Sequence, residues 1–109
     1  MRLMAVKDRP TAILAFSDAQ ALGAMQALLR FGLRVPTDIS IVGTSGLEGP
    51  VTVGLPALTC VRFDSADLER TPVRFLLERI EHPQLPPRQA QLQGTLDLAA
   101  STAPPGGKS

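Results

Sequence analysis

Four small groups of residues have types and spacing that could do chemistry. Gly43-Thr44-Ser45-Gly46 directly follows an apolar run, at the kind of strand end where α/β folds bind ligands. A phosphate-binding P-loop would continue into Gly-Lys-Ser/Thr, and a dinucleotide fingerprint would open a helix at its glycines. Neither continuation is present, so the tetrapeptide reads as a Gly-rich loop. Ser17, Ser45 and His82 are the types found in hydrolase sets. No G-x-S-x-G elbow frames either serine, and His82 stands beside Pro83 at a helix end. Cys60 falls inside an apolar run, where a small buried hydrophobe is expected rather than a reactive thiol. Arg70 and Arg74 lie four apart with no interleaved aromatics, the spacing of a solvated helix face rather than a nucleic-acid contact. With one cysteine and one histidine in the chain, an internal disulfide and a Cys/His zinc site are both excluded. No catalytic constellation remains, and the expectation is a protein that is not an enzyme and carries no metal or cofactor.

The elements that position these residues are short. The chain has 109 residues, a hydrophobic fraction of 44%, and 11 Lys and Arg against 10 Asp and Glu. That is enough for one core, and the near-zero charge argues against a surface made to coat nucleic acid or anionic membrane. No apolar run approaches the roughly 20 residues of a membrane span, and the first ten residues show no secretory signal. Thr11 to Phe16 (TAILAF) is apolar without alternation, as in a strand buried on both faces. Ser17-Asp18 offers helix caps, with Asp18 read as a cap rather than an acid. The following Ala, Leu, Met and Gln residues form a helix that stops at Gly32. Ile39 to Gly43 (ISIVG) is a second strand. Together these segments make a βαβ unit with a right-handed crossover. Residues 44–57 read as loop, and Leu58 to Phe63 as a third strand.

Asp64 or Ser65 then caps a second helical pattern. Pro72 interrupts it, which allows either a kinked helix or a fresh start capped by Thr71. Gln89 to Leu98 alternates partly, as a half-buried strand broken at Gly94. The expected organisation is an N-terminal segment over 1–8, a partial domain over 9–100 and a flexible tail over 101–109. The first helix is apolar nearly all round, with Ala21, Ala24, Met25 and Leu28 on one side and Ala19, Leu22 and Leu29 on the next. A second apolar side implies a second packing layer or a partner subunit. Leu22, Met25, Gln26 and Leu29 are the interface candidates.

Residues 9–43, RPTAILAFSDAQALGAMQALLRFGLRVPTDISIVG, resemble the C-terminal sensor region of LacI/GalR-type bacterial transcription repressors. LTCVRFD, LLERIEHP and the closing LAASTAPP resemble later segments of the same family. The resemblance implies a periplasmic-binding-protein-like pair of α/β subdomains with an effector cleft between them. The chain would be a parallel, three-layer βαβ fragment of that fold. It also implies a sugar or nucleoside-like effector in the full-length protein, a homodimer through the helix over 18–31, and a cytoplasmic location with no membrane contact. DNA would be contacted only through a helix-turn-helix domain absent from this chain, so the 109 residues alone should repress nothing. At three cleft positions this sequence departs from the family pattern. Ser17 replaces an asparagine, Ser45 stands where a carboxylate often holds an effector hydroxyl, and Phe63 replaces a glutamine. These three are the effector-binding candidates: the serines can still hydrogen-bond a hydroxyl, and Phe63 can stack on a ring. The alternatives are a fragment of a sugar-type solute-binding protein of a transport system, or a nonfunctional truncated remnant.

Overall fold

The computed structural model describes residues 2–44 and 54–106. A 3-10 turn over Arg2–Met4 precedes β1 (Ala12–Leu14), α1 (Asp18–Arg30), β2 (Ser40–Thr44), β3 (Thr59–Arg62), α2 (Ser65–Glu81) and β4 (Thr95–Asp97). The strands form one sheet in the order β1-β2-β3-β4. β1 runs parallel to β2 with Ile13 beside Ile41, and β2 runs parallel to β3 with Gly43 beside Cys60. This is the expected α/β arrangement with a βαβ unit at its start.

The chain divides into two compact units, residues 1–62 with 96–109, and residues 63–95. In the first unit Ile39, Ile41 and Leu58 point to the same side of the sheet as Ala15, against Ala21, Met25 and Leu28 of α1. Those seven side chains are the core. Met25 is only 1% exposed, so it belongs to this core and is removed from the interface candidates; i, i+4 spacing from Ala21 puts it on the sheet-facing stripe. Leu22 is half-buried, and Gln26 and Leu29 are exposed. Ser17, not Asp18, is the N-cap: its backbone is extended, and its Oγ accepts from the Gln20 N–H at 3.2 Å. Asp18 is the first helical residue, where a carboxylate suits the positive end of the helix dipole. At the other end Gly32 adopts φ +74°, the Gly32 N–H donates to Leu29 O, and the Leu33 N–H donates to Leu28 O. This pair of bonds is a Schellman closure, available because glycine takes a positive φ without steric cost.

Residues 99–103, which include the start of the tail expected over 101–109, are anchored to the sheet. β3 begins pairing only at Val42, so the Ile41 backbone has no strand partner on that side. Ser101 fills the gap. Its carbonyl accepts the Ile41 N–H at 2.9 Å, and its Oγ donates to Ile41 O at 2.6 Å and accepts the Thr59 N–H at 2.8 Å. Ser40 Oγ exchanges hydrogen bonds with the Ala103 backbone, and Thr59 Oγ1 accepts the Ala99 N–H. Buried backbone groups must be paired, and a polar residue with no propensity signal does the pairing here.

In the second unit α2 runs unbroken through Pro72, so no fresh start occurs at Thr71. Asp64 caps it, accepting from the Ala66 and Asp67 N–H groups. The proline-rich return holds Arg88 over the Phe75 ring at 4.4 Å and in an ion pair with Glu78. No residue of α2 is buried. The half-buried strand expected over 89–98 shrinks to β4, whose three residues are all exposed. Leu96 and Leu98, which belong to the first unit, are 57% and 75% exposed.

Candidate functional site

The carboxyl ends of β1, β2 and β3 carry the polar groups of the first unit, the position at which α/β folds present ligand-binding side chains. The chain leaves β1 at Ala15-Phe16 and turns into α1 at Ser17. Thr44 ends β2 and ties this turn down, its Oγ1 lying 3.0 Å from Ala15 O and 2.5 Å from Phe16 O. Gly43 stands beside it. A Cβ there would lie 2.2 Å from Asp18 Oδ1 and 2.8 Å from the Leu58 side chain. Glycine at 43 is therefore what lets the Asp18 carboxylate, 2% exposed, sit against the strand backbone. The second Gly-rich-loop candidate role, phosphate cradling, gains no geometry, because Ser45 and the residues after it lie outside the described residues.

Arg62 ends β3. Its Nε donates to Asp97 Oδ2 at 2.5 Å, and both side chains keep about half their surface in solvent, at 43% and 55%. The carboxylate raises the Arg62 pKa, chiefly through that hydrogen bond, so the guanidinium is a fixed cation at the strand end. Cys60, on the core side of β3, has its thiol pushed up mainly by burial, which disfavours the thiolate. Far from this edge, Asp38 accepts from Arg34 Nε at 3.2 Å and from the Arg34 N–H at 2.7 Å, and these bonds hold its carboxyl below its ordinary range.

The sequence candidates are placed differently from one another. Ser17 is half-buried in the first unit, with its hydroxyl committed to capping α1. Phe63 is half-buried and belongs to the second unit. Ser45 lies outside the described residues. Arg62 and Asp97 are additional polar groups at or beside this edge that sequence reasoning passed over, and Thr44 had been named only within the Gly-rich tetrapeptide. Thr44 and Arg62 were findable as the polar ends of apolar strands. Asp97 was not, since only the fold brings it to Arg62. The arrangement offers hydroxyl, cationic and anionic hydrogen-bonding groups, suited to a polyhydroxy or heterocyclic ligand. Among the described residues no cluster of His, Cys, Asp or Glu could hold a metal ion, and no helix is long and apolar enough to cross a membrane.

Residues 1–102 match the model of the periplasmic binding protein-like domain family. The chain is 40% identical over 81 residues to the HTH-type transcriptional repressor PurR of Mannheimia succiniciproducens, a match covering 74% of this chain and 24% of that protein. It is 36% identical over 99 residues to the ribose operon repressor of Haemophilus influenzae, covering 91% of this chain and 30% of the relative. Among solved structures, the lac repressor dimer bound to operator and the anti-inducer ONPF superposes with a TM-score of 0.69 at 36% identity, covering 85% of this chain and 32% of that one. The chain thus spans about a quarter to a third of these proteins, all of which are repressors by name. Together with the parallel βαβ unit and the Gly32 and Gly43 positions that shape it, these matches place the chain in the periplasmic binding protein-like domain family, as a segment of the sensor domain of LacI/GalR-type regulators.

Proposed function

We propose that this chain is the part of a cytoplasmic transcription regulator that senses a small effector and helps the regulator dimerise, without catalysis of its own. The observation that carries the reading is the set of polar groups at the carboxyl ends of the parallel strands, Ser17 after β1, Thr44 at the end of β2 and Arg62 at the end of β3, on a domain of this family. The effector is a sugar or a nucleoside-like molecule. Hydroxyls accept hydrogen bonds from Arg62 and exchange them with Ser17 and Thr44. The names of the relatives, one a ribose operon repressor and one a PurR repressor, support that class. Dimerisation is assigned to the outer side of α1 through Leu22, Gln26 and Leu29, and the operator-reading part lies outside these 109 residues. Repressor relatives favour a regulator over a transport protein.

Amide chemical-shift mapping tests the reading. Titration of the labelled 109-residue chain with ribose, and separately with a purine nucleoside, should shift the Ser17, Thr44 and Arg62 amides in one of the two series. The shifts should disappear in Arg62→Ala. Shifts in neither series, or shifts confined to residues 65–92, would overturn it.

A further inference from the structure

The cation at the carboxyl ends of the strands already has a partner. Arg62 ends β3, and Asp97 reaches it from the neighbouring strand β4, 35 residues further along the chain. The bond runs from Nε to Asp97 Oδ2 and holds the guanidinium by one side. The two η nitrogens have no acceptor among the described residues, and they are the donors left for a ligand. The bond to Asp97 does most to raise the Arg62 pKa, and the Asp18 carboxylate in the first turn of α1 adds in the same direction. One guanidinium thus answers two carboxylates. The start of a helix ordinarily attracts an anion, but at α1 that position is taken by Asp18, which is buried. Other cations of the first unit lie elsewhere. Lys7, Arg9 and Arg34 line one cavity with Thr11 and Asp38, which precede β1 and β2, so they gather at the amino ends of the strands.

We propose that Asp97 is a positioning residue that sets the charge specificity of the effector site: it orients the Arg62 donors and cancels the Arg62 charge, so the site takes an uncharged polyhydroxy effector and rejects its phosphate ester. The inference rests on the effector-site reading given above and names the substrate class of that site. A guanidinium with its charge unmatched is a strong phosphate ligand, because two parallel N–H groups meet two oxygens. With Asp97 bonded at Nε that charge is already matched. A phosphate ester carries about two negative charges at neutral pH, and it would meet the Asp97 and Asp18 carboxylates without a spare cation at this edge. A neutral hydroxyl accepting from Nη meets no such repulsion. Discrimination of this kind comes from the repulsive element as much as from the contacts made.

Paired titrations of the labelled 109-residue chain test it, with ribose against ribose phosphate and adenosine against adenosine monophosphate. In the pair that shifts the Ser17, Thr44 and Arg62 amides, the uncharged member should bind at least about tenfold more tightly than its phosphate ester. Asp97→Asn keeps an oxygen to accept from Arg62 Nε and removes only the charge. It should lower that ratio by about tenfold, chiefly through tighter binding of the phosphate ester. A purely structural role for Asp97 would weaken both ligands together and leave the ratio alone. Asp97→Glu, which retains the charge, should keep the wild-type preference. Unmoved Ile41 and Thr59 amides report that a variant is folded, and if Asp97→Asn does not fold, the wild-type ratio decides. The proposal is overturned by a wild-type chain that binds the phosphate ester as tightly as the uncharged ligand, or by a ratio that Asp97→Asn leaves unchanged while both ligands still bind. If none of the four ligands shifts those three amides, the effector-site reading itself fails, and the role of Asp97 fails with it.

Discussion

α1 and α2 are both capped helices rich in apolar side chains, in very different circumstances. In the first unit, α1 buries Asp18, Ala21, Met25 and Leu28 against a parallel sheet. In the second, α2 is longer, is capped by Asp64, and carries Leu68, Val73, Leu76, Leu77 and Ile80, yet these five remain between 48% and 65% exposed. Local signals suffice to define a helix, but burial needs an opposing surface. An isolated helix of this length is marginal in water, because nucleation is costly and only packing offsets it. The stability of the chain therefore resides in residues 12–44, 58–62 and 99–103. The apolar side chains of α2 in the second unit stay exposed.

Paired truncations give the largest contrast. Met25→Ala should cost about 2–5 kcal/mol, the range for emptying a packed core site, while Leu76→Ala should stay within about 0.5 kcal/mol. Urea denaturation followed by circular dichroism measures both, and equal effects would break the distinction between the units. Ser101→Ala comes next. It leaves the Thr59 N–H without its acceptor inside the sheet, and about 1–3 kcal/mol should be lost. That result would place the closing segment with the core, whereas a neutral outcome would return it to a tail. Gly43→Ala sharpens the link between core and candidate site, since the added methyl meets both Asp18 and Leu58. A loss of about 1–3 kcal/mol is expected.

The smallest effect concerns pH. Arg34 holds the Asp38 carboxyl low, so the contribution of this pair is present above the unfolded carboxylate value of about 4 and is lost as pH falls through the lower folded value. Asp38→Asn should flatten the acid limb of the stability profile slightly and leave neutral pH almost unchanged. The pair is solvent-exposed on the Arg34 side, and salt should diminish even this difference.

The parts of the fold set by short-range rules were legible in the residues. The TAILAF and ISIVG runs, the Ser17-Asp18 start and the Gly32 stop specified the βαβ unit, because caps and apolar periodicity act locally. The rest depended on distant partners. Ser101 carries no strand signal, and its burial arises only because β3 begins one residue too late to satisfy Ile41. Met25 could belong to either apolar side of a helix apolar nearly all round, and only the position of the sheet decides between them. Pro72 was ambiguous because a proline within a helix removes one hydrogen bond without forbidding the turn that follows. At the site, Ser17 and Thr44 sit where strand ends predicted polar groups. The Arg62–Asp97 pair joins residues that no spacing rule connects.

Native-state amide hydrogen exchange tests the central claim most directly, since it reads the stability of each unit in one sample. Ile41, Gly43 and the Thr59 amide held by Ser101 should exchange only through global unfolding, and the amides of α2 from Glu69 to Ile80 should exchange orders of magnitude faster. Protection in α2 equal to that of β2 would contradict the account, because it would require a core in the second unit that its exposed leucines do not form.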